Sequence, residues 1–249
     1  MKKLVSIALV GIGISSFGQT QIIAHRGYWK TEPKTAQNSI ESLKNAQKLK
    51  VYGSEFDVRM TKDGVLVVNH DEDVNKVVIA DTSFKELKSQ KLSNGEKIAT
   101  LEKYLKQGKK DSSVKLIVEI KPAKTPELEN EIVAKTIELI EKKNLEGQSE
   151  FISFSLNVCK EIKKRKPNYK VQYLNGELSP QEIKNLGIDG IDYHYSVFLE
   201  KNPTWISEAR ELGVITNTWT VNSPEVFEKL KTMGVNFVTT DTPDHYLKK

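Results

Sequence analysis

Three short segments in the first third of the chain each pass from apolar residues to ionisable ones. The first presents His25 and Arg26, the second Glu55 and Asp57, and the third His70. A histidine pKa lies near neutrality, so one histidine can accept a proton while another donates one. These residue types indicate acid–base chemistry on a charged substrate.

A fourth segment ends on a further pair, Glu119 and Lys121. Residues two apart on a strand face the same side, so Glu55 and Asp57 project together, as do Glu119 and Lys121. Three carboxylates brought together cannot all stay ionised without a cation, and oxygen ligands favour Ca²⁺ or Mg²⁺ over zinc. The alternative is that they pair with basic side chains, for which Lys121 and Arg59 are available.

A divalent cation, two histidines and two basic side chains together suit the cleavage of a phosphodiester. Arg26 offers a bidentate fork to phosphate oxygens, and Lys121 offers a point charge. The cation would polarise the phosphoryl group and offset the developing negative charge.

Strand-like and helix-like runs alternate along the chain, and the ionisable residues fall where the strand-like runs end. Eight strand–helix units favour a closed (β/α)8 barrel over an open doubly wound sheet, and no glycine-rich nucleotide fingerprint follows the first strand. The eighth helix is predicted to be short or missing. In such barrels the active site lies at the C-terminal ends of the strands. The predicted strands begin at Gln21, Gly53, Lys115, Phe151, Lys170, Gly190, Val214 and Phe237.

The segment 73–111 interrupts this alternation. It is polar and contains short helical pieces. A structureless loop of that length would be unusual in a compact domain, so we predict an insertion with a small structure of its own. Before it, Lys62-Asp63-Gly64 predicts a hairpin turn.

Residues 1–18 have the layout of a secretory signal peptide: a basic start, an apolar run and a small-residue end. The apolar run is shorter than the roughly 20 residues that cross a bilayer. We therefore expect cleavage near Gly18 and Gln19, and a periplasmic or secreted domain over 19–249. An N-terminal core strand and an uncleaved anchor are the alternatives.

The charge of the chain is modest and evenly spread. The net charge of +5 is typical of a solvated surface rather than a nucleic-acid footprint. We expect no nucleic-acid partner and no stable membrane insertion. Cys159 is the single cysteine, so no intrachain disulfide can form, and nothing in the sequence predicts an oligomeric state.

Taken in order, the motifs resemble those of the glycerophosphodiester phosphodiesterases from His25 onward. Each motif alone is a weak pattern, but their joint order on eight strand–helix units is specific. The motifs are His25-Arg26-Gly27, Glu55-Phe56-Asp57-Val58, Thr61-Lys62-Asp63-Gly64, Val68-Asn69-His70-Asp71, Glu119-Ile120-Lys121-Pro122, Thr218-Trp219-Thr220-Val221-Asn222 and Thr240-Asp241-Thr242-Pro243-Asp244.

The resemblance implies an α/β fold, a (β/α)8 TIM barrel with a small insertion after the second histidine motif, where 73–111 lies. One departure is Gln37, which stands where the family usually carries a glutamate. Trp219 has an alternative role as a plain barrel-packing residue. The resemblance implies three sets of site residues: catalytic His25 and His70; metal-binding Glu55, Asp57 and Glu119; and phosphate- or substrate-binding Arg26, Lys121 and Trp219.

The expected reaction is hydrolysis of a glycerophosphodiester to glycerol 3-phosphate and an alcohol, with one Ca²⁺ or Mg²⁺ as cofactor. Two alternatives remain at this point. A phospholipase acting on intact lipids would want an exposed apolar rim, whereas the insertion is polar. A non-catalytic headgroup binder on the same barrel would be expected to lack a histidine or a carboxylate, and here all are present.

Overall fold

Eight parallel strands close into a barrel in the computed structural model, which describes residues 19–247. The barrel order is β1-β12-β11-β10-β9-β8-β7-β2, and β1 closes it by also pairing with β2, which confirms the predicted fold. The signal peptide predicted for 1–18 lies outside the described residues. The strands are β1 (Gln21–Ala24), β2 (Gly53–Met60), β3 (Leu66–Val68), β4 (Asp73–Val74), β5 (Val77–Val78), β6 (Ala99–Thr100), β7 (Lys115–Ile120), β8 (Ser149–Ser153), β9 (Val171–Tyr173), β10 (Gly190–His194), β11 (Ile215–Trp219) and β12 (Phe237–Thr240).

The helices begin where local capping chemistry permits. They are α1 (Ile40–Leu49), α2 (Phe84–Leu87), α3 (Leu101–Gly108), α4 (Pro126–Lys142), α5 (Leu156–Arg165), α6 (Pro180–Asn185), α7 (Trp205–Leu212) and α8 (Pro224–Met233). Except for α7, each follows a Ser or Thr whose side-chain oxygen accepts a backbone N–H. After β12 the chain forms only a short 3₁₀ helix, Pro243–His245, as the sequence predicted for the eighth helix.

The main hydrophobic core lies between the barrel strands and the surrounding helices. Leu43 on α1, Phe56 on β2 and Tyr104 on α3 are fully buried in it. Each such side chain contributes about 1.5–3 kcal/mol by leaving water. A second cluster lies inside the barrel and consists of Ile23, Ile117, Ile152 and Leu174. This inner cluster packs beneath the barrel mouth.

The predicted insertion has a small core of its own over most of its length. Strands β4 and β5, a 3₁₀ turn and α2 surround a cluster that includes Ile79, Leu87 and Ile98. The last helix of the segment, α3, instead buries Leu101 and Leu105 in the main core. The chain therefore returns to the barrel wall at α3.

A hairpin carries His70 to the barrel mouth. Strands β2 and β3 pair antiparallel, and the turn between them is stabilised by a 2.6 Å hydrogen bond from the Thr61 hydroxyl to Asp63. Gly64 adopts a φ of +78° in this turn, a region that favours glycine.

A π-helical turn, Val197–Lys201, lies between β10 and α7 and was not predicted. Within 19–247, no helix combines the length and apolar character needed to span a membrane.

Candidate active site

The eight predicted site residues meet at the C-terminal end of the barrel. Asp57 lies in β2, with one carboxylate oxygen 3.3 Å from Lys121 Nζ. The other seven line a single cavity of about 240 Å³: His25, Arg26, Glu55, His70, Glu119, Lys121 and Trp219.

Three carboxylates form a tight buried cluster in this cavity. Oxygen atoms of Glu55, Asp57 and Glu119 all lie within 4.8 Å of one another, and the residues are 2%, 1% and 7% exposed. The parallel register explains the cluster, since Asp57 on β2 lies directly beside Glu119 on β7. Among residues 19–247, no hydrogen-bond partner is found for the buried Oε1 of Glu55. A buried, unpaired oxygen beside two other carboxylates fits a hard divalent cation.

The three clustered carboxyl groups differ in pKa because each has different charges around it. Burial, then the charges of Asp57 and Glu119, raise the pKa of Glu55 well above its ordinary value. Burial, then Asp57, raise the pKa of Glu119 to about 7. Burial alone would also raise the pKa of Asp57, but Lys121 and His70 outweigh it and lower that pKa. A cation bound here would therefore take the place of protons on Glu55 and Glu119.

Lys121 pairs with only part of the cluster. Its Nζ lies 2.7 Å from Glu119 and 3.3 Å from Asp57. Burial would lower the pKa of Lys121, but these two carboxylates raise it. Arg59 does not join them, because its Nε donates to the His70 carbonyl at 2.9 Å. In the described part of the chain, no Lys or Arg side chain forms an ion pair with Glu55, so ion pairing accounts for Asp57 and Glu119 but leaves Glu55 without a basic partner.

His25 is held by a carboxylate of the last sequence motif, to which the sequence alone assigned no role. Its Nδ1 lies 2.8 Å from Asp241, which follows β12. Asp241 in turn accepts from the Asn222 amide at 2.8 Å and lies 3.3 Å from Lys30 Nζ. Burial would raise the pKa of Asp241, but the hydrogen bond and charge of His25 lower it below the ordinary range. With Nδ1–H donating to a carboxylate, Nε2 of His25 keeps a lone pair that can accept a proton.

His70 lies across the same cavity in a different environment. Its Nδ1 is 2.8 Å from the exposed Asp71, and its carbonyl is fixed by Arg59. Burial lowers the pKa of His70, although Asp57 opposes that shift. The two histidines therefore have different hydrogen-bond partners: the Asp241 carboxylate for His25 and the Asp71 carboxylate for His70.

The loop after β1 aims Arg26 by backbone geometry. Arg26 has a φ of +55°, and its backbone N–H donates to Glu55 at 2.7 Å. The next residue is Gly27, where a Cβ would overlap Ser42 on α1. The guanidinium of Arg26 donates to the Gln37 amide oxygen at 2.6 Å. Gln37 thus keeps the contact that orients Arg26 without adding a negative charge.

Asn38 orients Asp57, one of the three clustered carboxylates. Its side chain donates to Asp57 at 2.8 Å and accepts from the Asp57 backbone N–H at 3.1 Å. The cap of α1 is Ser39, whose side chain accepts from the Ser42 backbone N–H. Asn38, at a φ of +57°, is instead free to orient Asp57.

Aromatic residues line a further part of the mouth that begins beside Lys121, whose Nζ lies 5.7 Å from the centre of the Phe154 ring. Trp219 donates from its indole nitrogen to the Asp192 backbone carbonyl at 2.9 Å. Its ring lies edge-on to Phe154 and to His194, with ring centres 5.5 Å and 5.3 Å away. The indole is partly exposed and lines the cavity, so Trp219 is both a packing residue and a candidate substrate contact.

Comparisons with known proteins show the family to which the chain belongs. Residues 25–245 match the family model described as the glycerophosphoryl diester phosphodiesterase family. The chain belongs to this family. It is 30% identical to a glycerophosphodiester phosphodiesterase of Caldanaerobacter subterraneus, with 91% of this chain and 96% of that protein covered. Membership of the family makes the chain a phosphoric diester hydrolase.

Solved structures of family members share the fold. A glycerophosphodiester phosphodiesterase from Parabacteroides distasonis superposes with a TM-score of 0.89 and 46% identity, covering 91% of this chain and 94% of that one. The Thermotoga maritima enzyme gives a TM-score of 0.74 and 27% identity, covering 91% and 96%. A phosphodiesterase from Oleispira antarctica, 24% identical with a TM-score of 0.80 and coverage of 91% and 95%, was solved with its product sn-glycerol 3-phosphate.

Proposed function

We propose that this protein hydrolyses glycerophosphodiesters to glycerol 3-phosphate and an alcohol, with a divalent cation and a pair of histidines. The observation that carries the proposal is the meeting of His25, His70 and a buried three-carboxylate cluster in one cavity. The product found in the Oleispira antarctica relative supports the choice of substrate.

His25 is the proposed general base and His70 its acid partner. The Asp241 carboxylate orients the His25 ring and stabilises the imidazolium that forms when Nε2 takes a proton. His70, whose pKa is lowered by burial, gives up a proton readily once it holds one. This assignment places proton acceptor and donor on the two loops that follow β1 and β3.

The charged groups between the histidines bind the phosphate. Glu55, Asp57 and Glu119 would hold a divalent cation, Ca²⁺ or Mg²⁺, which supplies charge to the phosphoryl oxygens when bound. Arg26 and Lys121 contribute positive charge of their own. The guanidinium of Arg26 donates to the uncharged Gln37 from one nitrogen, and its Nε lies 3.9 Å from Asp57, so further N–H donors remain for a phosphate.

Two nucleophiles are compatible with this arrangement. His25 can deprotonate a water molecule, or it can deprotonate the neighbouring hydroxyl of the substrate's own glycerol. The second route passes through a cyclic phosphate, which should be detectable by phosphorus NMR during turnover. Both routes release the alcohol with a proton from the acid partner.

We propose further that the protein is exported. The basic, apolar and small-residue pattern of residues 1–18 supports this. The measurement is the N-terminal residue of the protein recovered outside the cytoplasm. A mature chain beginning at Gln19 or close to it is expected, and an intact Met1 would contradict export with cleavage.

The direct test of the histidine pair is release of glycerol 3-phosphate from glycerophosphocholine. His25→Ala and His70→Ala should each lower kcat by about 10²–10⁴-fold, the usual contribution of a general acid or base. His245→Ala is the matched control, because His245 is an exposed histidine outside the cavity. Unchanged turnover in either cavity variant would contradict the acid–base assignment.

A further inference from the structure

Below the mouth, the inner surface of the barrel divides into an apolar and a polar arc. Ile23, Ile117, Ile152 and Leu174 form the apolar arc. The polar arc comes from three neighbouring strands: Asp192 on β10, Asn217 on β11 and Thr239 on β12. Asn217 Nδ2 lies 3.1 Å from Asp192 Oδ2, and the Thr239 hydroxyl lies 3.3 Å from Asn217 Oδ1.

One atom of this polar arc lacks a partner. Asp192 is 1% exposed, and its Oδ2 accepts from Asn217. Its Oδ1 has no hydrogen-bond partner among residues 19–247. Asp192 lies in the wall of the cavity that holds the predicted site residues. An unsatisfied buried oxygen costs about 1–3 kcal/mol, so a site that retains one at a cavity wall is suited to a ligand that satisfies it.

The position of Asp192 relative to the phosphate groups is fixed by the barrel order. In the closed ring, β10 lies four strands from β2 in either direction. Asp192 therefore faces Glu55 and Asp57 across the barrel. A substrate whose phosphate lies at the carboxylate cluster extends its other end toward Asp192 and Trp219.

We propose that Oδ1 of Asp192 hydrogen-bonds a hydroxyl group of the substrate's glycerol and so selects polyol phosphates over alkyl phosphates. The proposal rests on the proposed function, since it places the phosphate at the charged side of the mouth. A hydroxyl fits this oxygen because it both donates and accepts, and so bonds the carboxyl group in either protonation state. An alkyl group of the same length would leave the oxygen unpaired.

The surroundings of Asp192 favour a neutral ligand group over a cationic one. Burial, then the charge of Glu119, raise the pKa of Asp192 well above its ordinary value. The carboxyl group therefore tends to hold a proton and attracts an ammonium headgroup weakly. The glycerol end of the substrate, rather than a charged alcohol, matches this pocket.

The test compares two phosphomonoesters of the same length, sn-glycerol 3-phosphate and propyl phosphate, as competitive inhibitors or by calorimetry with Ca²⁺ present. The wild type should bind glycerol 3-phosphate about tenfold more tightly, the worth of one hydrogen bond. Asp192→Ala should bring the two affinities to within about twofold. Because Trp219 contacts the Asp192 backbone, this truncation leaves the indole contact in place.

Two further variants separate recognition from folding. Asp192→Asn keeps an acceptor and a donor in the same shape, and should retain most of the preference. Glu150→Gln is the matched control: Glu150 is buried in β8, but it pairs with Tyr52 and Lys170 and does not line the cavity. It should keep the wild-type preference.

The outcomes distinguish this inference from the proposed function. If the wild type binds both phosphates equally, or if Asp192→Ala keeps the preference, the inference is overturned and the phosphodiesterase proposal stands. If the wild type binds neither phosphate in the presence of Ca²⁺ or Mg²⁺, the proposed function is overturned, and the inference fails with it. The wild-type comparison needs no variant to fold.

Discussion

The two sides of the barrel mouth differ in chemical character. The charged wall, formed by Glu55, Asp57, Glu119 and Lys121 on and after β2 and β7, concentrates three carboxylates and an ammonium in a buried space. The aromatic wall, formed by Phe154, His194 and Trp219, presents rings that pack edge-on. The charged wall can therefore interact with a substrate through charge, and the aromatic wall through packing.

This difference assigns separate tasks to the two walls. Charges that repel one another at close range need a cation or protons, so the charged wall is tuned for phosphate chemistry. The aromatic wall presents ring faces and edges rather than carboxylates, and can accept the uncharged end of a substrate. Variants of the charged wall should therefore affect catalysis most, and variants of the aromatic wall should affect substrate binding.

The largest effect is expected for Glu55→Gln. Among the three clustered carboxylates, Glu55 is the one that no Lys or Arg side chain in the described region pairs with, so its loss removes a proposed cation ligand outright. We expect kcat/KM for glycerophosphocholine to fall about 10³-fold or more, equal to about 4 kcal/mol. We also expect the rise in Tm on adding Ca²⁺ or Mg²⁺ to disappear. A variant that keeps both activity and the Tm response would contradict the proposed cation site.

A second effect concerns stability without a cation. The pKa of Glu119 is raised to about 7 from an ordinary value of 4.5. A raised carboxyl pKa gives stability that is fully present below about pH 4.5 and is lost as pH rises through 7. Glu119→Gln should remove this dependence, on the order of 2–3 kcal/mol between pH 5 and pH 8. Denaturant unfolding in chelator measures it, and identical pH profiles for variant and wild type would contradict the shift.

Trp219→Ala tests the aromatic wall and should have a smaller effect. Removing the indole takes away a cavity-lining face and its bond to the Asp192 carbonyl. We expect KM to rise about tenfold while kcat changes less, because the lost contact binds ground state and transition state alike. Trp219→Phe should recover part of the affinity. A fall in kcat as large as that of Glu55→Gln would remove the distinction between the walls.

Gln37→Glu should have the smallest effect. It leaves the contact to Arg26 but adds a negative charge beside the guanidinium. That charge competes with a phosphate, so we expect KM to rise by about two- to threefold at low salt and less at high salt. An increase that does not respond to salt would show that Gln37 acts by another route.

The charged wall could be predicted from the sequence because its signals are local. Glu55 and Asp57, and Glu119 and Lys121, are each two apart on recognisable strands, so the same-face rule brings them together. The barrel itself followed from the regular alternation of strand and helix patterns. Each predicted start of a barrel strand lies within two residues of the start in the structure.

Several roles outside the charged wall could not be predicted, because they depend on contacts between segments that are distant in the sequence. Asp241 meets His25 across 216 positions of sequence, and Asn38 reaches Asp57 through a left-handed backbone turn. Asp192 was missed because a single carboxylate within an apolar strand has no pattern of its own. The π-helical turn at Val197–Lys201 has no local signal either. The roles of these features follow only from the folded barrel, which brings the segments together.

In the proposed site, the two histidines cleave a glycerophosphodiester only when the charged wall holds a cation. The most direct measurement is glycerol 3-phosphate release from glycerophosphocholine by protein stripped with a chelator, then titrated with Ca²⁺ or Mg²⁺. We expect loss of nearly all activity on stripping and its return with one of the two ions at about one equivalent per chain. Full turnover by the thoroughly stripped protein would rule out the proposed need for a cation.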